Sequence, residues 1–186
     1  MKKLMKSGFT LAEVLVTLAV IGVIAAMTIP TLLGTTNQAE LKTAFKKSLS
    51  VLNQAISMSV ALDSSDASTG TGTDAANLAN FFRQRLNVIG NGPNSTTSFY
   101  TADGMLFTFS RPVAGNCGSV DTTDPAAAPC VVTVDVNGSK KPNAMSTGNA
   151  SNNWAFRDQY QLIINAQSVV PAGNNTTSVA QAALSE

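Results

Sequence analysis

The sequence predicts an α+β protein: a long N-terminal spine helix, transmembrane and then amphipathic, packed on a small antiparallel sheet. Three observations carry this. The apolar run from Phe9 to Pro30 holds one charge, Glu13, and 26 uncharged residues separate Glu13 from the next charge, Glu40. Leu41, Phe45, Leu49, Leu52 and Ile56 then recur at three- and four-residue steps, the spacing of one helix face. Beyond residue 98, β-branched and aromatic residues alternate in short runs broken by Asp-Gly and Asn-Gly pairs, the pattern of hairpins.

The elements follow in chain order. About 20 apolar residues span a bilayer as a helix, and the run from residue 9 to 30 meets that length. Lys2, Lys3 and Lys6 flank it on one side, so the head of the chain is expected in the cytoplasm and the remainder exported. Glu13 is the anomaly. An acidic side chain within a lipid-spanning helix costs on the order of 2.5–3.5 kcal/mol, and such a residue persists where it finds a partner. Were the chain cut after Gly8, the new amine of Phe9 on a neighbouring copy would be one. A secretory signal peptide cut near Val23-Ile24-Ala25 and a plain uncleaved anchor are the competing readings. An apolar core that starts directly after Gly8 and carries Glu13 favours neither.

Residues 31–62 read as the amphipathic continuation of the helix, with Lys42, Lys46 and Lys47 off the apolar stripe. It should end near Leu62, where DSSDASTGTGTD offers turn formers and no apolar cluster. Asp74 can cap a short second helix with the periodicity Leu78, Phe81, Phe82, Arg85, Leu86, Ile89. The run GNGPNSTTS breaks it. Three or four strands follow: one at Phe99-Tyr100, one through Met105, Phe107 and Phe109 after Asp103-Gly104, one from Val131 to Val136 before Asn137-Gly138, and one from Tyr160 to Val170. The tail PAGNNTTSVAQAALSE has little to bury and reads as mobile.

Composition excludes several functions. The chain is near neutral at +1 and has no histidine, which removes the commonest general base and the commonest metal ligand. Without residues 1–8 it keeps nine basic against eleven acidic side chains, which argues against a nucleic-acid partner. No nucleophile–base pair or phosphate loop appears, so an enzyme is not expected. Cys117 and Cys130 lie in a loop-like stretch of an exported chain. A disulfide is the natural reading, worth about 3 kcal/mol in the chain-entropy model, and two sulfurs without histidine make a poor zinc site.

The segment Gly8-Phe9-Thr10-Leu11-Ala12-Glu13-Val14-Leu15-Val16 resembles the cleavage and methylation signal of type IV pilins and type II secretion pseudopilins. The resemblance covers about the first 35 residues. It implies that a prepilin peptidase cuts between Gly8 and Phe9 and methylates the Phe9 amine, and that Phe9 and Glu13 act in assembly. Gly22 and Pro30 fall where many members carry helix-weakening residues. The implied organisation is a cleaved leader (1–8), a transmembrane and filament-core helix (9–30), its amphipathic continuation (31–62) and a globular head (63–186), a lollipop in outline. The implied partners are other copies in a helical filament, the peptidase, an inner-membrane assembly platform and its ATPase. The implied location is the inner membrane before assembly and a cell-surface filament after it, or the periplasm for a pseudopilin. A minor pilin with a role in adhesion or DNA uptake is the third reading.

Asp-x-Asn-Gly followed by Pro-Asn also occurs near the last strands of many pilin-like proteins. Here Asp135, Asn137 and Asn143, with Asp158 before the final strand, are candidate calcium ligands, since oxygens at alternate positions around a glycine turn suit that ion. Lys140 and Lys141 oppose a cation. A turn closed by its own Asx side chains is the alternative, and no other cofactor is expected.

Overall fold

The computed structural model describes residues 8–118, 124–146, 157–173 and 179–184. The chain divides into two units, Met1–Ala39 and Glu40–Glu186, and helix α1 (Leu11–Asp63) contributes to both. It is followed by α2 (Ala67–Gly70), α3 (Ala75–Arg83), β1 (Val88–Asn91), β2 (Ser98–Thr101), β3 (Leu106–Ser110), β4 (Val131–Asp135), β5 (Gln159–Ile164), β6 (Val169–Pro171) and α4 (Val179–Leu184). This is an α+β layout consistent with a pilin-like fold.

In the first unit, Leu11–Pro30 is long and apolar enough to cross a membrane, with mean hydropathy 2.3 and none of it buried. Its threonine hydroxyls are satisfied within the helix. Thr17 Oγ1 donates to Val14 O and Thr28 Oγ1 to Ile24 O, each at 3.0 Å. That internal pairing is what a lipid environment demands.

In the second unit the six strands form one sheet in sequence order, every neighbouring pair antiparallel. Pleating sorts the side chains into two faces. Phe99, Phe107, Val134 and Tyr160 lie in one cross-strand row, and Phe109, Val132 and Leu162 in the next. These rows share a core with Phe45, Leu52 and Ile56 of α1 and Leu78 and Phe82 of α3. Phe45 stacks on Tyr160 at 4.3 Å and Phe82 on Phe109 at 5.1 Å. The opposite face carries a smaller cluster of Ala128, Val131, Ile163 and Ala172.

Polar contacts fix α1 and the short helices to this sheet. Asn53 of α1 donates from Nδ2 to Val169 O at 3.2 Å and accepts from Val169 N–H at 2.9 Å, pairing with edge strand β6 as a backbone would. Lys47 pairs with Asp103 at 3.0 Å, and Arg85 with Asp63. Gly104 (φ +82°) and Gly138 (φ +71°) close two turns, and a Cβ on Gly138 would strike the Gly104 carbonyl oxygen.

Five details differ from the sequence reading. Among the described residues the sheet has six strands where three or four were expected. Strand β1 replaces the end of the second helix, so Ile89 is exposed rather than on an apolar helix face. The Tyr160–Val170 strand is two strands joined by a turn in which Asn165 N–H donates to Ser168 O at 2.8 Å. The structureless loop after α1 contains α2, capped by Asp66, and the tail contains α4, with Ala180, Ala182 and Ala183 buried.

Candidate functional site

Three places hold the residues singled out by the sequence. The first is the turn after β4, which gathers Asp135, Asn137, Asn143 and Asp158. Asp158 is fully buried, and its carboxylate accepts from Asn143 N–H (2.6 Å) and Ala144 N–H (2.8 Å). Asp135 Oδ2 accepts from Gln159 Nε2 at 3.0 Å. With its amide oriented to satisfy its neighbours, Asn143 donates to Lys140 O (2.6 Å), Gly138 O (3.2 Å) and Asp135 Oδ2 (3.2 Å). Three oxygens thus converge on an amide nitrogen. Asp135 Oδ1 and Asn137 Oδ1 are buried without a hydrogen bond of ordinary geometry. Burial pushes the Asp135 carboxyl above the usual range. Gln159 and the amides of Asn137 and Gly138 oppose that rise, and the charge of Asp158 adds to it. Among the described residues no group of three or more Cys, Asp or Glu could hold a metal ion.

The second is the disulfide between Cys117 and Cys130, with Cα atoms 5.4 Å apart and both residues buried. Arg111, just past β3, clamps it. Its guanidinium donates to Cys130 Sγ (3.1 Å), Gly115 O (2.8 Å), Thr71 Oγ1 (2.8 Å) and Gly72 O (2.9 Å). The sequence offers one signal for this residue: Arg111 is the single charge between Asp103 and Asp121.

The third is the start of α1. Gly8, Phe9 and Thr10 precede the helix, and Phe9 is 90% exposed. Thr10 and Glu13 form a reciprocal cap. Thr10 N–H and Oγ1–H donate to Glu13 Oε2, both at 2.8 Å, and Glu13 N–H donates to Thr10 Oγ1 at 3.3 Å. This is the Thr-x-x-Glu capping box. The sequence reading missed Thr10, although the spacing is legible in it. Within a single chain, then, Glu13 already has a partner. Gly22 and Pro30 lie inside α1, which runs unbroken through both.

Residues 3–29 match the prokaryotic N-terminal methylation motif.

This motif is the signal of type IV pilins and pseudopilins. Its match covers Gly8, Phe9, Glu13 and Gly22 and ends one residue before Pro30. No curated protein and no solved structure matches the chain. Within the matched residues that the structure describes, Leu15, Leu18, Ile21, Ile24 and Met27 are each more than half exposed. A helix in that state is solvated by lipid or by other helices.

Proposed function

We propose that this protein is a structural subunit of a type IV pilus or pilus-like filament, cut by prepilin peptidase after Gly8 and polymerised through α1. One observation carries the reading: an outward-facing apolar helix, with Glu13 near its start, begins just after the Gly8-Phe9 bond inside a methylation motif. Before assembly the helix sits in the inner membrane, and the Thr10–Glu13 cap lowers the cost of its carboxylate there. An assembly platform and its ATPase then extract it. In the filament, burial of the apolar face supplies the main stabilisation, and Glu13 exchanges Thr10 for the methylated Phe9 amine of a neighbour, which sets axial register. Gly22 and Pro30 let the helix unwind locally during extraction. A straight, continuous helix from residue 20 to 32 in a fibre reconstruction would remove that last role.

A type II secretion pseudopilin is the second reading, because it shares this N-terminus. The disulfide-closed loop leans toward a pilin, and the turn after β4 leans toward a pseudopilin. Intact mass and N-terminal sequencing of protein sheared from cells separate them. A chain starting at methylated Phe9 in the sheared fraction supports the pilus. The same start confined to the envelope supports a pseudopilin or minor pilin. A start near Ala26 would sink both.

For the turn itself we propose closure by its own side chains, with Asn143 Nδ2 standing where a cation would. Addition of millimolar calcium should then leave the melting temperature of the detergent-solubilised protein unchanged. A rise reversed by chelator would assign Asp135, Asn137, Asn143 and Asp158 to calcium instead.

A further inference from the structure

The Arg111 cluster has more donors than acceptors. The guanidinium reaches two carbonyls, one hydroxyl and one sulfur, and its Nε is buried without a partner. A disulfide sulfur is a weak acceptor, whereas a thiolate beside a cation is a strong one. The position of Arg111 is therefore of greatest energetic consequence when the bond is open. The two sulfurs also differ. Cys130 touches the cation and is anchored to the sheet, its carbonyl accepting from Ile164 N–H at 2.9 Å. Cys117 lies near the neutral Thr71 hydroxyl, 3.5 Å from its sulfur. Burial lowers the pKa of the Arg111 guanidinium, and the charge of Asp74, at the start of α3, opposes that effect.

We propose that Arg111 is a positioning residue for closure of the disulfide, making Cys130 the thiolate that completes the bond and Cys117 the sulfur that first meets the oxidant. The oxidant is a carrier disulfide, on a protein or a small molecule. The Cys117 thiolate attacks one carrier sulfur, a mixed disulfide forms, and the first carrier thiolate leaves. The Cys130 thiolate, held by Arg111, then attacks the Cys117 sulfur, and the second carrier thiolate leaves. Two electrons pass to the carrier, and the two thiol protons pass to solvent. In the reverse direction Cys130 is the leaving group.

The test uses the full chain in detergent, carrying ¹³Cβ-labelled cysteine, reduced and kept anaerobic. The shift of each Cβ is followed against pH. Cys130 should titrate at least about one pH unit below the usual 8.5 of a free cysteine, and Cys117 at or above that value. Arg111→Gln should abolish the gap, and Arg111→Lys should restore part of it. Equal midpoints near 8.5 in the wild type would overturn the proposal, whether the reduced head is folded or not, as would a lower midpoint for Cys117. The wild-type order of the two midpoints decides the matter even if Arg111→Gln fails to fold.

Discussion

The apolar stretch of α1 and the sheet-bearing unit treat the same kinds of side chain in opposite ways. In Leu11–Pro30 the hydroxyls of Thr17 and Thr28 turn inward onto the helix backbone, and the apolar side chains face out. In the second unit Phe45, Phe99, Phe107 and Phe109 are sealed, and the exposed residues are largely polar. One region has settled its polar atoms and left its apolar surface unmatched. The other has buried its apolar surface unaided. The first therefore depends on its surroundings and the second does not, so mutations in the two should separate assembly from folding.

The largest expected effect is Phe45→Ala. It removes the ring stacked on Tyr160 and should cost about 3–5 kcal/mol of stability in the sheet-bearing unit. Urea denaturation of the solubilised chain followed by circular dichroism measures it, while cleavage after Gly8 should continue at the wild-type rate. Loss of cleavage would mean the two regions are not separable. Glu13→Val is the converse. It relieves on the order of 2.5–3.5 kcal/mol of insertion cost, leaves the urea midpoint unchanged and should abolish sheared filaments. Normal filament yield from that variant would end the register role of Glu13. Asn53→Ala comes next. It strips both hydrogen bonds from Val169 and should cost about 1–3 kcal/mol, visible as faster amide exchange at β6 before any other strand.

The smallest effects are electrostatic and differ in sign. Hydrogen bonds from the Ser68 hydroxyl and the Thr69 amide hold the Asp66 carboxyl below its usual range. Its stabilising contribution is therefore present above the unfolded value and lost as pH falls through the folded one, and Asp66→Ala should cost about 1 kcal/mol at neutral pH. Asp135 is raised by burial, so its contribution is present below the unfolded value and disappears as pH rises through the folded one. Asp135→Asn in chelator should raise the melting temperature at neutral pH and leave it unchanged in acid. A fall at neutral pH would show that the carboxylate has a cationic partner.

Elements with a large apolar stripe were legible in the sequence. The Leu41–Ile56 stripe and the Phe107/Phe109 alternation each bury aromatic or branched side chains, and such patterns stand out. Elements that bury little were not. Helix α2 hides a single Ala67 behind an Asp66–Thr69 cap, and α4 buries alanines, whose small surface leaves hardly any periodic signal. Strand β1 was masked by coincidence, because Leu86 and Ile89 continue the three-residue spacing of the preceding helix although Ile89 faces solvent. The β5–β6 turn has neither Gly nor Pro to mark it. At the N-terminus Glu13 is conspicuous as a charge, but its hydrogen-bond partner is a neutral neighbour, Thr10, rather than an opposite charge. Arg111 is marked in the sequence by its isolation as a charge and not by its partners, which come from three separate stretches of chain.

The two edges of the sheet carry a consequence for the proposed filament, in which copies of the chain would be crowded. Strand β1 is four residues long with an irregular register between Val88 and Gly90, and β6 is three residues long, ends in Pro171 and has Asn53 bonded to Val169. Exposed edges are where sheets of neighbouring molecules fuse into amyloid-like ribbons, and shortness, irregularity and proline are the features that discourage it. Crowded copies of this chain would thus be steered away from joining through their sheets, which keeps ordered association from degrading into irreversible aggregation.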